Sequence, residues 1–357
     1  MNSGRIGKLI QRFLLIVPFI VLVIGCNRPE APVFKAQVDV VPTLTQAIMA
    51  PIATPEPSIP APINIEPTLQ RKLELMAVGD MMLDRKPAYA IKSIGLLAPF
   101  EQVASTLSSA DISIGNLECA ITERGTAESK TYTFRAPTLA SQSLQLAGFD
   151  LLTLANNHSL DYGEVGLMDT LGALQSNQIL TVGAGENKTT AFAPVIIEKN
   201  GIKLAFLAYL DIQSWRYDYQ AWEATNEEPG IAWGHPEIMT QEIRKAKQLA
   251  DFVIVLMHFG MEGEYPPTQQ QVETAHNAID SGALLVIGAH THLLQPIEEY
   301  NNGLIAYSLG NFVFDGFAGN ANKSAILHVT LSTCGIESHK LIPVEIDSQG
   351  FPNLVLP

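Results

Sequence analysis

The stretch VIGAHTHLLQP, residues 286–296, decides how this chain is read. An apolar run closes on a glycine, and His290 and His292 follow one residue apart in a sequence that has only 8 histidines. If residues 283–290 form a buried strand, successive side chains leave on opposite faces, so these two imidazoles leave on the same one. Two imidazoles then face one pocket.

The same grammar recurs along the chain. LELMAVGD (73–80), DISIGNLE (111–118), FDLLTLANNH (149–158) and DFVIVLMHFG (251–260) are short apolar runs closed at once by Gly, Asn, Asp, Glu or His. Between them lie the helical patterns TLASQSLQLAG (138–148), GEVGLMDTLGALQSN (163–177), HPEIMTQEIRKAKQLA (235–250) and TQQQVETAHNAIDSG (268–282). Strands alternating with helices predict a mainly parallel α/β sheet covered by helices, with active groups at the carboxyl ends of the strands. FAPVIIEKNGIKLAFLAYL (192–210) reads as a hairpin turning at Asn200 and Gly201, and GLIAYSLGNFVF, SAILHVTLS and IESHKLIPVEID read as antiparallel strands. Two sheets packed face to face with helices outside, a four-layer α/β/β/α sandwich, use all these elements.

The strand ends carry metal-ligand types: Asp80, Asn116 and Glu118, Asn157 and His158, His258, then His290 and His292. Mixed carboxylate, amide and imidazole donors suit one or two divalent ions of Zn, Mn or Fe, and the lack of clustered cysteine argues against a structural zinc knuckle. His235, His276, His328 and His339 fall on a helix start, a helix face or edge strands and read as ordinary residues. Asn156, Asn157 and Asp161 have a turn explanation beside the site one, because Asn and Asp bond local backbone readily. SWRYDYQAW (214–222) reads as a lid, a partner-binding loop or plain packing.

Before this domain the chain runs Arg5, Lys8 and Arg12, then FLLIVPFIVLVIG, then Cys26. That is a basic start and an apolar core short for a membrane span. LVIGC resembles the lipobox of bacterial lipoproteins, so residues 1–26 are expected to be a lipoprotein signal with Cys26 lipidated, the alternative being an uncleaved signal anchor. Residues 27–70 are dense in proline and read as an extracytoplasmic spacer. Residues 71–357 are then the folded domain. The formal net charge of −14 argues against nucleic acid as a partner. Cys119 and Cys334 are expected to be free and mostly buried.

Seven blocks in order, GDMMLDR, GNLECAIT, YTFRAP, ANNHSLDYG, HFGMEGEYPP, GAHTHLLQPIE and YSLGNFVFD, resemble the CapA-type poly-gamma-glutamate capsule biosynthesis family, within the calcineurin-like metallophosphoesterase superfamily. The resemblance implies that Asp80 and His292 hold one metal and Asn157, His258 and His290 the other, with Glu118 bridging. It makes His158 the general acid. Met82 stands where phosphoesterases have a histidine two residues after the first Asp, and Asn116 with Glu118 replace their Gly-Asp, so phosphoesterase activity does not follow from the resemblance. Arg135 is expected to clamp a substrate carboxylate or phosphate, and Glu262 and Glu264 to take an ammonium or act as acid and base. For all three a surface ion pair is the competing reading. Asn311 and Asp315 are expected to orient ligands. The implied role is synthesis, anchoring or export of poly-gamma-glutamate or a related anionic envelope polymer, alongside membrane synthetase subunits and at the membrane through the lipid anchor. The chemistry is either metal-dependent hydrolysis or transfer, metal-assisted polymer binding without catalysis, or acid-base work on a peptide alpha carbon.

Overall fold

The computed structural model describes residues 71–214 and 217–355. The expected lipidation at Cys26 and the spacer at 27–70 lie outside the described residues.

Apolar runs with their polar ends become parallel strands. Lys72–Met81 (β1), Ile112–Leu117 (β2), Leu151–Thr153 (β3) and Leu180–Val182 (β4) pair in parallel, with the helices Arg85–Ser93, Leu139–Ala147 and Gly163–Ser176 on the connections. A second sheet follows from Val195–Lys199 (β5), Ile202–Ile212 (β6), Phe252–Gly260 (β7), Leu285–Ala289 (β8), Ile297–Tyr300 (β9) and Gly303–Ala306 (β10), in the order β9-β10-β8-β7-β6-β5. The chain then returns to the first sheet through Asn311–Val313 (β11), Lys323–Ser332 (β12), Gly335–Ile346 (β13) and Pro352–Leu354 (β14). Its order is β14-β13-β12-β1-β2-β3-β4, with β11 also against β1.

Local chemistry explains the punctuation. Asn200 and Gly201, at φ 52 and 70, turn the β5–β6 hairpin in the left-handed conformation that Asn-Gly favours. The helix Gln269–Ser281 opens on a Thr268/Gln271 capping box and stops at Gly282, where φ is 118.

The two sheets bury their facing sides against each other. Leu73, Leu75, Ile112 and Ile114 of the first sheet share one core with Phe206, Leu256, Ile287 and Leu304 of the second. Each outer face is covered by helices, Ile91, Leu144 and Leu167 packing on the first sheet and Met239, Ile243 and Ala278 on the second. The fold is therefore the expected α/β sandwich of four layers. Burying each large aliphatic or aromatic side chain contributes about 1.5–3 kcal/mol, so the inter-sheet core outweighs any single polar contact at its edge.

One segment differs from expectation. GLIAYSLGNFVF is antiparallel only in part: β10 pairs antiparallel with β9 but parallel with β8 in the second sheet, and β11 lies parallel to β1 in the first. The crossing depends on a close backbone approach, since a Cβ on Gly79 would sit 1.8 Å from the Gly310 carbonyl oxygen. The Asp80 amide donates to that carbonyl at 2.9 Å, and Asp80 and Asn311 come into register. The cysteines differ in part as well. Cys119 is buried, but Cys334 is exposed near the β12–β13 turn.

Registry carries the polar ends to one place. Asp80 pairs with Asn116 and Asn116 with Thr153, while in the other sheet His258 pairs with Ala289, the residue before His290. The carboxyl ends of both sheets thus meet at one seam.

Candidate metal centre

Glu118, just past β2, lies at the centre of that seam. It is fully buried and neither of its carboxylate oxygens finds a hydrogen-bond donor. Its Oε1 is 3.9 Å from His158 Nε2, 3.9 Å from His258 Nε2 and 4.0 Å from His292 Nε2. These separations are too long for hydrogen bonds. They suit donors that share a cation, because two ligands each about 2.0–2.2 Å from one ion lie roughly 3–4 Å apart. Asp80, Glu118 and His258 each offer a ligand atom within 4.8 Å of one another. The donor set fits a divalent ion.

Around this hub the other residues fall into two groups. His292 Nδ1 lies 3.4 Å from Asp80 Oδ2, and the His290 amide donates to the same oxygen at 3.1 Å. On the other side His258 Nε2 contacts Asn157 Oδ1 at 2.8 Å and His290 Nδ1 at 3.0 Å. The imidazoles of His290 and His292 reach the seam by a route the strand argument did not foresee. The strand ends at Ala289, and both histidines adopt left-handed backbone, at φ 96 and 57. Left-handed non-glycine residues cost on the order of 1–3 kcal/mol each, strain that persists where surrounding contacts over-determine it.

Asparagines hold these side chains in place. Asn116 Nδ2 donates to Asp80 Oδ1 at 2.8 Å and lies 3.2 Å from His258 Nδ1. Asn156 donates to Asn116 Oδ1 and to the Leu117 carbonyl, so the turn residue braces the site it borders. Asn311 Oδ1 is 2.8 Å from His292 Nδ1, while its amide donates to the Ala321 carbonyl. Met82, where the superfamily pattern has an imidazole, is fully buried in the core under the helices.

His158 approaches from the open side. Its Nδ1 is 2.7 Å from Asp161 Oδ2, which directs Nε2 toward Glu118. Its ring stacks on Phe134 at 4.3 Å. Asp161 also accepts from the Phe134 amide at 2.6 Å and pairs with Lys130, whose Nζ is 2.6 Å away. That lysine, only 4% exposed at its side chain, donates to the Asn157 carbonyl.

Electrostatics follow from burial and crowding. Burial, then the Asp80 charge, push the Glu118 carboxyl well above its ordinary value. Burial works against Asp80 too, yet the His292 hydrogen bond and the charges of His258 and His292 outweigh it and hold that carboxyl below the carboxylate range. Burial pulls His158 down to about 4 against the pull of Asp161, His290 down to about 3, and His258 well below its ordinary value. Neutral imidazoles are the form that binds metal. His292 goes the other way, because Asp80 overcomes its burial.

A cavity of about 770 Å³ opens onto the seam, lined by His158, His290, Asn157, Lys130, Tyr219 and Glu262 among others. Of the residues expected to meet substrate, Glu262 therefore faces this space. Glu264 is exposed beyond a turn at Gly263 (φ 78), so the two glutamates do not share the extended face their spacing suggested. Arg135 is engaged within the protein itself. Its guanidinium stacks on Tyr162 at 3.6 Å and donates to the Gly125 carbonyl. Asp315 pairs with Arg85 at 2.8 Å and accepts from the Lys86 amide. The remaining histidines meet carboxylates, His235 with Glu223, His276 with Glu298, His328 with Glu74 and His339 with Glu299.

Two residues of the site carry little sequence signal. Lys130 sits in the polar stretch AESKTYTF (127–134), indistinguishable there from a solvated surface lysine. Asp161 lies three residues from His158, a spacing equally expected of a turn.

These site residues all fall within the span of a known family. The family model described as "Bacterial capsule synthesis protein PGA_cap" matches residues 74–316. The chain is similar to "PGA biosynthesis protein CapA" of Bacillus subtilis (strain 168), 32% identical over 272 residues, covering 75% of this chain and 70% of that protein. It is also similar to "Capsule biosynthesis protein CapA" of Bacillus anthracis, 32% identical over 293 residues, with 80% and 70% covered. Among solved structures, a hypothetical protein from Thermus thermophilus aligns with a TM-score of 0.48 at 17% identity, over 76% of this chain and 99% of that one.

Proposed function

The chain belongs to the bacterial capsule synthesis PGA_cap family, and from that premise we propose that it serves in synthesis, anchoring or export of poly-gamma-glutamate or a related envelope polymer through a metal-dependent hydrolase or transferase site. It acts outside the cytoplasm, tethered by a lipid on Cys26 through the spacer 27–70, beside membrane synthetase subunits. The observation that carries the catalytic part is Glu118, a fully buried carboxylate without a donor, ringed by three imidazole nitrogens at 3.9–4.0 Å.

In this reading Asp80, Glu118, Asn157, His258, His290 and His292 would hold one or two divalent ions, Asp80 with His292 and Asn157 with His258 and His290, and Glu118 would serve both groups. Metal bound there would polarise a carbonyl or phosphoryl group of the substrate and offset developing negative charge. His158 does the proton work. Asp161 accepts from Nδ1–H and its charge favours the imidazolium, so that His158, once protonated, can hand the Nε2 proton to a leaving group across the seam and return to the neutral form. Glu262 meets the part of the substrate that lies in the cavity.

A second reading, metal-assisted grip on an anionic polymer without turnover, draws support from Met82, which removes one imidazole from the superfamily's set. One experiment separates the accounts. Elemental mass spectrometry of the full-length chain, with Glu118→Ala and His292→Ala beside it, should find about two transition metals per chain in the wild type, as two-metal sites hold, and clear losses in both variants. No bound metal after loading with Zn and Mn would refute the catalytic reading. If metal is present, His158→Ala separates the two, abolishing cleavage of gamma-glutamyl peptides or phosphoesters in the first and leaving polymer binding intact in the second.

A further inference from the structure

The buried lysine joins parts of the chain that share no sheet contact at that point. The Lys130 ammonium is 5.0 Å from the centroid of the Tyr219 ring, 4.9 Å from Trp222 and 6.0 Å from Tyr217. These rings pack on one another, Tyr217 and Tyr219 tilted at 4.8 Å and each edge-on against Trp222 at 5.5 and 5.3 Å. Together they form a three-sided aromatic cage. Its open side is closed by Asp161, 2.6 Å from the ammonium, and by the Asn157 carbonyl. A cation so little exposed needs such compensation, and a desolvated ammonium over aromatic faces is where cation–π attraction is strongest. Tyr217 adds one more tie, its hydroxyl donating to Glu128 Oε2 at 2.7 Å.

The cage also borders the cavity. Lys130, Tyr217 and Tyr219 line it beside Asn157 and His158. We propose that Lys130 is a positioning residue: its ammonium ties the aromatic segment 217–222 to Asp161 and to the Asn157 carbonyl, so that one buried cation holds the cavity wall and the His158 imidazole together. Its importance for catalysis rests on the reading that His158 and this cavity serve the substrate; the tie itself does not. Asp161 is the shared member. One of its oxygens takes the ammonium and the other takes His158 Nδ1 and the Phe134 amide, so slack at the lysine passes directly to the imidazole.

Hydrogen–deuterium exchange on the full-length chain reads the tie without any assay of activity. Lys130→Met should speed exchange across 217–222 by on the order of tenfold or more, while strand β7 and metal content stay as in the wild type. In the side-chain nitrogen spectrum the His158 Nδ1–H resonance should shift or broaden. Because Lys130→Met leaves the Asp161 charge buried and could unfold the chain, Lys130→Met/Asp161→Asn removes both charges and should release 217–222 alone. His158→Ala should leave 217–222 as protected as in the wild type. Unchanged exchange at 217–222 in the double variant overturns the proposal, and so does faster exchange spread over the whole domain. A His158→Ala variant that keeps full activity would remove the catalytic reading while leaving the exchange result intact.

Discussion

Replacing Glu118 by glutamine tests whether the centre of the seam is built for a cation. The wild-type carboxylate is fully buried with neither oxygen hydrogen-bonded, and leaving a buried polar group unsatisfied costs about 1–3 kcal/mol, more when it is charged. Without metal, and at a pH above its raised pKa where Glu118 carries a buried charge, glutamine would remove that charge and keep the shape, so Glu118→Gln should stabilise the chelator-treated protein by roughly 1–3 kcal/mol. At this size about 2 °C of Tm accompanies each kcal/mol, giving a rise of about 2–6 °C. With metal at a thousandfold over its Kd the wild type should gain about 4 kcal/mol, or roughly 8 °C, while the variant gains far less. The pH dependence has a definite sign. The folded-state pKa of Glu118 is raised above the ordinary 4.5, so the metal-free wild type should lose stability as pH climbs from 4.5 toward that raised value, and Glu118→Gln should not share the loss. Thermal denaturation with chelator and with Zn or Mn, at several pH values, measures all of this. A variant less stable than wild type without metal, yet shifted equally by metal, would refute the reasoning.

His158 titrates in the opposite direction. With its folded pKa down at about 4 against an ordinary 6.5, the metal-free protein should lose about 3 kcal/mol as pH falls from 6.5 toward 4, and His158→Gln should flatten that part of the curve in a pH series of denaturant melts. Asn311→Ala frees the His292 ring it contacts at 2.8 Å and should weaken metal binding about 10–100-fold with little change in secondary structure, as read by competition with a fluorescent chelator. Gly79→Ala forces a Cβ to within 1.8 Å of the Gly310 oxygen. It should cost about 3 kcal/mol or more in stability and lower metal content as well, because Asp80 is the next residue. Phe206→Ala, in the core between the sheets, should cost about 3–5 kcal/mol in denaturant melts and leave the metal stoichiometry of the folded fraction unchanged.

Much of this protein could be read without coordinates because short-range rules govern it. Apolar runs of strand length closed by Gly, Asp or Asn lie on β1, β2, β3, β7 and β8, and the helices between them start and stop where capping chemistry says, as at Thr268 and Gly282. Residue types at strand ends were enough to name Asp80, Glu118, Asn157, His158, His258, His290 and His292, the side chains that the structure gathers at the seam. The pairing of His290 with His292 was reached for an incomplete reason, because the backbone turns left-handed after Ala289 instead of continuing the strand. The antiparallel reading of 303–313 holds for β10 against β9 and fails for β11, because local sequence cannot say to which sheet a short strand will go.

What the sequence determines by itself is periodicity, punctuation and chemical type: the alternation of strands and helices, the donors at strand ends, the acidic charge and the basic, apolar start. Tertiary structure alone decides what those donors meet. Arg135 turns to Tyr162 and Asp315 to Arg85, away from the roles their motifs suggested, while Lys130 leaves an ordinary polar stretch to become a buried cation against Asp161. The physical reason is range. Backbone propensity and side-chain period act over a few residues, whereas these contacts join segments tens of residues apart, as at Lys130 and Asp161, or more than 200 apart, as at Gly79 and Gly310, packed within a few ångströms.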